Sequence, residues 1–158
     1  MTNNLTAQDL RPDRDFLAEA TLTALKGRVE EGEVRRFLKE ASSKAAPDPI
    51  GANASLNIAV WGKATCDPDG QPWKFDHTVW GGPAFFAEAV GFMYTAYNSW
   101  DAFFRNVTSI HAQGIASDGG VLQFTWFIKS GLPVGQFTGL AGGIGLIQAG
   151  GPGEWQRK

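Results

Sequence analysis

Few side chains in this 158-residue chain could do covalent chemistry, and their spacing limits what they could do. Asp76 and His77 are adjacent, a pairing that could move a proton, but the sequence supplies no nucleophile for them to serve. They read instead as an exposed strand pair on the face opposite Phe75 and Val79. Ser109 precedes His111 by two residues, yet no Gly-x-Ser-x-Gly elbow or oxyanion loop accompanies them, so His111 reads as an ordinary strand residue. Cys66 is the single cysteine. It is expected in a polar turn with no cation closer than Lys63, so nothing lowers its thiol pKa, and no internal disulfide can form. His77 and His111 are the only histidines, so a three- or four-ligand zinc site would have to be completed by carboxylates. Asp67-Pro68-Asp69-Gly70 spaces two carboxylates as a calcium loop would but lacks the further oxygen ligands and the closing Glu, and it reads as a turn. Gly139-Leu140-Ala141-Gly142-Gly143-Ile144-Gly145 has the look of a phosphate loop without the Lys-Ser/Thr or the following helix that binding requires, so these are strand glycines. The expectation is a protein that is not an enzyme and carries neither metal nor cofactor.

Six tryptophans are the remaining lead. Aromatic side chains on a strand surface stack on sugars or anchor at a membrane, and Trp73, Trp80 and Trp100 are the expected exposed ones because they sit near turns or a crossover. Charge narrows the choice of partner. Fourteen Lys and Arg against 16 Asp and Glu give a net charge of -2, without the basic surplus from which phosphate-backbone binding draws its affinity, so nucleic acid is not an expected partner.

The elements that must position these residues fall into two regions. Residues 1–50 hold 17 of the 30 charged side chains but only Gly27 and Gly32 of the 20 glycines, which predicts a charged helical arm. One helix is expected near Phe16, with Phe16, Leu17, Ala20, Ala24 and Leu25 on one face. A second, over 33–45 after a break near Gly32, places Val34, Phe37, Leu38 and Ala41 on a stripe. The polar face mixes both signs, which predicts a helix packed on its own barrel rather than a Lys-rich membrane helix. Pro47-Asp48-Pro49 forces an extended link before the second region, residues 51–158, which is rich in Gly and Trp.

That second region predicts eight short strands, over 54–64, 72–80, 84–96, 107–116, 120–129, 133–140, 143–150 and 153–156, as an antiparallel barrel or sandwich. A helical turn over 98–106, capped by Asn98 or Ser99, crosses between halves. An internal repeat is visible. Leu56–Lys63 resembles Leu122–Lys129, Gly70-Gln71-Pro72 matches Gly131-Leu132-Pro133 at an offset of 61, and the same offset carries Gly81-Gly82 onto Gly142-Gly143. Leu122, Phe124 and Trp126 alternate with Gln123, Thr125 and Phe127 and are bulky enough to fill a barrel interior, leaving a cavity for a small apolar ligand as the less favoured alternative.

The runs 89–95, 100–109, 122–127 and 135–139, closing on Gly150-Gly151-Pro152-Gly153-Glu154-Trp155, resemble the core of the virulence-associated protein (Vap) family of actinobacteria. The resemblance covers roughly residues 54–156. It implies a compact, mainly β fold: an eight-stranded antiparallel β-barrel built from two related four-strand halves, with a short helix and no established catalytic site. It also implies an exported, host-interacting protein acting through its surface on a protein or membrane partner. The chain departs from the family in its charged helical arm. It also shows no apolar leader within its first 25 residues, so it is expected to be cytoplasmic as written, or exported by another route.

Overall fold

The computed structural model describes residues 21, 22, 25–82, 84–115, 120–141 and 147–158. Its body is a closed antiparallel barrel of eight strands: β1 (Ile50–Ala59), β2 (Trp61–Pro68), β3 (Trp73–Gly82), β4 (Phe85–Thr95), β5 (Ser109–Ile115), β6 (Val121–Phe127), β7 (Pro133–Leu140) and β8 (Ile147–Pro152). A two-residue strand, β9 (Gln156–Arg157), hangs on the start of β3. Around the ring the order is β3-β2-β1-β4 and then β7-β6-β5-β8, with β8 returning to β3. Each half is therefore a Greek key with the same internal order, as a duplicated four-strand unit must be.

The strand count matches the expectation, but two assignments compensate for each other. The run expected as one strand over 54–64 is two strands folded back at Val60, with Ala59 paired to Trp61. Of the region expected as an eighth strand over 153–156, residues 153–155 are a loop and Gln156 opens the two-residue β9. Consequently the true structural match of Leu122–Lys129 is β2, not the end of β1, whereas the turns at Gly70 and Gly131 do correspond, each joining the second and third strands of its half. Gly142 and Gly143 lie outside the described residues. So does most of the first expected arm helix, of which Thr21, Leu22 and Leu25 are seen as helical.

The interior is filled with aromatic rings. Helix α2 (Trp100–Asn106) joins the halves and plugs one end with Phe103 and Phe104, its first turn closed by the Ser99 hydroxyl accepting from the Ala102 amide at 3.1 Å. Phe104 meets Trp155 with ring centroids 4.8 Å apart, Trp155 meets Trp126 at 5.1 Å, and Phe75 reaches both Trp155 and Trp126. Phe124 and Phe137 continue the stack. Gly135 belongs here because the Phe103 ring occupies the place a Cβ would take.

The charged helix α1 (Glu31–Ala41) packs its buried Val34 and Phe37 toward β7 and β4. The chain breaks before it at Gly27, in the left-handed region at φ 81°, while Gly32 lies inside the first turn. Glu31 pairs with Arg35 at 2.8 Å and Arg36 with Glu40 at 3.4 Å, exposed i,i+4 pairs worth a few tenths of a kcal/mol each. The link that follows is anchored at its far end, where the Trp100 indole donates to the Asp48 carbonyl at 3.0 Å.

Candidate interaction surface

The residues singled out for catalysis are separated by the strand pleat. Along β3, Trp73, Phe75 and Val79 face the interior, and His77 shares that side, its ring 5.0 Å from that of Phe75. Asp76 points the other way and pairs with Lys63 at 3.1 Å. His77 Nε2 sits 2.6 Å from the Glu154 carbonyl oxygen and 3.1 Å from the Glu154 amide nitrogen, so the imidazole pins the loop before β9 instead of facing Asp76. Reading the two as a joint exposed pair is thereby corrected. Cys66 is not in a turn but on the buried side of β2, its thiol 3.8 Å from the Met93 sulfur. Burial, and then Asp67, raise its pKa well above the ordinary value, which leaves an inert thiol. Asp67 pairs with Lys158, and Gly70 makes the turn at φ 70°. Among the described residues, no three His, Cys, Asp or Glu side chains gather as metal ligands would.

His111 lies on the outward side of β5 yet is buried, and neither ring nitrogen has a hydrogen-bond partner among the described residues. Desolvation, and then the positive charge of Arg28, lower its pKa to about 4, so it is neutral near pH 7.

The three tryptophans expected at the surface part company. Trp73 is buried: Phe104 stacks on one part of it at 5.8 Å, and the guanidinium groups of Arg157 and Arg105 lie 4.9 and 5.7 Å from its ring centre. Its place at the barrel mouth, beneath α2 and β9, overrides its nearness in sequence to a turn. Trp100 is half-buried against Phe103 and Phe104. Trp80 is exposed, and directly opposite it on β2 stands Trp61, which the sequence had hidden inside a single long strand.

Trp61 and Trp80 are register partners on the outer side of β2 and β3. They are 61% and 54% exposed, with Val60 at 74% on the turn beside them and Phe86 at 64% on the outward side of β4. The Trp80 ring rests on Gly151, where a Cβ would approach it at 3.0 Å. Val60 takes φ 74°, a conformation that a β-branched residue adopts at a cost of about 1–3 kcal/mol. The turn is held by the Gly81 amide donating to the Val60 carbonyl at 2.9 Å, and Gly62 is required because a Cβ there would run into the Asn57 carbonyl. A strained turn thus presents an isopropyl group and an indole to water, where Asn or Gly would relieve the strain. Such a surface can bury aromatic and aliphatic area against a partner. It holds no group that could transfer a proton or an electron pair.

An eight-stranded antiparallel barrel of two Greek-key halves, plugged by a short helix and filled with aromatic rings, is the Vap-like fold. The structure is similar to that of the virulence-associated protein VapB from the intracellular pathogen Rhodococcus equi, with a TM-score of 0.53 and 18% identity over 70% of this chain and 98% of that one. It is likewise similar to VapD from Rhodococcus equi, with a TM-score of 0.55 and 18% identity over 69% of this chain and 97% of that one. No protein-family model matches the sequence, and no curated protein does. Among the described residues no helix is long and apolar enough to cross a membrane.

Proposed function

We propose that the chain is a non-enzymatic, Vap-like host-interaction barrel that acts through its surface on a protein or membrane partner, with Val60, Trp61, Trp80 and Phe86 as the contact. The single observation that carries this reading is the Trp61–Trp80 pair, register partners on β2 and β3 whose side chains are both more than half exposed beside a strained turn. Large exposed aromatics grouped on one surface are the hallmark of an interaction site, and Trp is the side chain most enriched among binding hot spots. The name given to both structural neighbours supports a virulence-associated role, which would place the protein outside the cell that makes it. The alternative, carriage of a small apolar ligand, needs interior space that Phe75, Phe124, Trp126, Phe137 and Trp155 occupy.

The double variant Trp61→Ser/Trp80→Ser tests the proposal. It is expected to keep the folded barrel and to lose binding both to vesicles of phosphatidylcholine and phosphatidylserine and, in site-directed cross-linking from position 86, to host-cell proteins, whichever of the two the wild type shows. Binding that survives the double variant, or a wild type that engages neither, overturns it. Uptake of an apolar dye by the wild-type interior would favour the ligand reading instead.

A further inference from the structure

Register sorts the outward side chains of β1, β2 and β3 into rows. The row nearest Val60 is Ala59, Trp61 and Trp80, and the next is Asn57, Lys63 and Thr78. A third holds Ser55, Thr65 and Asp76. Successive rows stand two residues apart along each strand, about 7 Å. The first is apolar, while the two behind it consist wholly of amide, hydroxyl and charged groups. Ser55 and Thr65 bond to each other at 2.5 Å, and Lys63 pairs with Asp76 at 3.1 Å, so the three rows carry no net charge. The Asn57 amide and the Thr78 hydroxyl flank Lys63 directly behind the rings, and among the described residues neither makes a side-chain hydrogen bond.

The fold makes little use of either indole. Trp73, Trp100, Trp126 and Trp155 all pack on other aromatic rings, whereas among the described residues Trp61 and Trp80 touch none. Trp80 is seated against Gly151, where a Cβ would stand 3.0 Å from its Cζ3, so its position is set by the barrel before any partner arrives. A bilayer would accept the rings but leave the unpaired Asn57 and Thr78 without a purpose, and a net charge of -2 gives no attraction to anionic headgroups. A pyranose sugar matches both parts of the pattern. Its ring has an apolar C–H face that stacks on an indole, and its rim of hydroxyls both donates to and accepts from amide, hydroxyl, ammonium and carboxylate groups. Because Asp76 neutralises Lys63, the only cation in these rows, the pattern suits an uncharged sugar rather than a sulfated or carboxylated one.

We propose that the outer face of β1–β3 binds the uncharged oligosaccharide of a host glycoprotein, with Trp61 and Trp80 stacking on pyranose faces and Asn57, Thr78 and the Lys63–Asp76 pair bonding the hydroxyls. The inference rests on reading the Trp61–Trp80 pair as the interaction surface, and it names what that surface takes: the glycan of the partner, not its polypeptide and not a lipid.

Binding of the full chain to ribonuclease B and to ribonuclease A tests it, since these are one polypeptide with and without a neutral oligosaccharide. Ribonuclease B is expected to bind and ribonuclease A not, with chitohexaose or mannohexaose, the two sugar types of that oligosaccharide, competing and shifting the tryptophan emission. Trp80→Ser is expected to weaken ribonuclease B binding by about 10-fold or more. The double variant Asn57→Ala/Thr78→Val, which leaves both rings in place, is expected to weaken it by about 3- to 10-fold. Every substitution lies on the outer face, and a cooperative thermal transition confirms that each variant is folded. Equal binding of the two ribonucleases, no binding of ribonuclease B, or binding indifferent to Trp80 overturns the proposal. Binding to vesicles or to host-cell proteins that needs Trp61 and Trp80 but no glycan also overturns it while leaving the surface reading in place, whereas a chain that engages none of these removes both.

Discussion

The two halves of the barrel share one topology and differ in what their outer surfaces carry. The β1–β4 half meets water directly, yet carries Val60, Trp61, Trp80 and Phe86 on its outside. The β5–β8 half lies partly under the arm, yet carries His111, Gln113, Gln123, Thr125, Gln136 and Thr138 buried on its outward side. Folding alone would favour the reverse, with apolar groups under the cover and polar groups in water. Their interiors, by contrast, are alike in kind, with Leu56, Ile58 and Phe75 in one and Phe124, Trp126 and Phe137 in the other. A duplicated Greek key therefore keeps its inward positions under common packing constraints, while its outward positions are free to diverge. The exposed Trp61 and Trp80 and the buried His111 and Gln123 mark the places where stability alone does not explain the residue chosen.

The covered half offers the largest effect on which to break that comparison. His111 titrates near 6.5 when unfolded and near 4 when buried, so the unfolded chain binds the extra proton throughout that window. Its contribution to stability is therefore intact above pH 6.5 and is lost as the pH falls toward 4, by about 3 kcal/mol in all. His111→Gln is expected to remove that slope in urea denaturation measured at pH 7, 5.5 and 4.5, with Arg28 the cation that sharpens it. If wild type and variant lose stability in parallel, burial of a neutral His111 is not what the covered face depends on.

A smaller effect is expected from Gln123→Leu, which removes the bond accepted from Gln113 and those donated to Thr21 and Thr138. The loss should be about 1–3 kcal/mol, read from the shift in the urea midpoint at constant slope. An outward polar residue of the open half, such as Lys63, should lose at most about 1 kcal/mol on truncation to Ala, because its pair with Asp76 is exposed. Equal costs for the two would erase the distinction between halves.

The smallest effect has the opposite sign. Val60→Gly relieves the left-handed strain and is expected to stabilise the chain by up to about 1 kcal/mol, seen as a rise in Tm. In the same protein the partner contact should weaken, since the exposed isopropyl group is gone. A Val60→Gly chain that binds as well and melts no higher would mean the turn is held for neither reason.

Much of this architecture was legible in the sequence because it rests on local rules. The charge shift near Pro47, the turns at Gly70 and Gly131, the Ser99 cap and the alternation of Leu122, Phe124 and Trp126 each depend on a few consecutive residues. The fold-back at Val60 was not legible, since a β-branched residue is a poor signal for a turn, and the 11-residue run over 54–64 read as one strand. Missing that turn hid Trp61 and placed Cys66 in a loop. Trp73 was expected in water because a turn precedes it, while α2 and β9, remote in sequence, come to lie over its ring.

By itself the sequence determined that the chain is mainly β with a charged helical segment ahead of a Gly- and Trp-rich region, and that this region carries an internal repeat at an offset of 61. These follow from composition and periodicity, which local backbone preference and the pleat convert directly into structure. Only the tertiary structure decided which residues look outward and what covers them. The pleat says that Gln123 and Trp126 lie on opposite faces, but not which face meets water. That depends on a cover some hundred residues away in the chain, Thr21 over Gln123 and Gln136, and on a barrel that closes β3 against both β2 and β8. Contacts of that span leave no periodic trace in the sequence, so the two surfaces that distinguish this protein appear only once the barrel is closed.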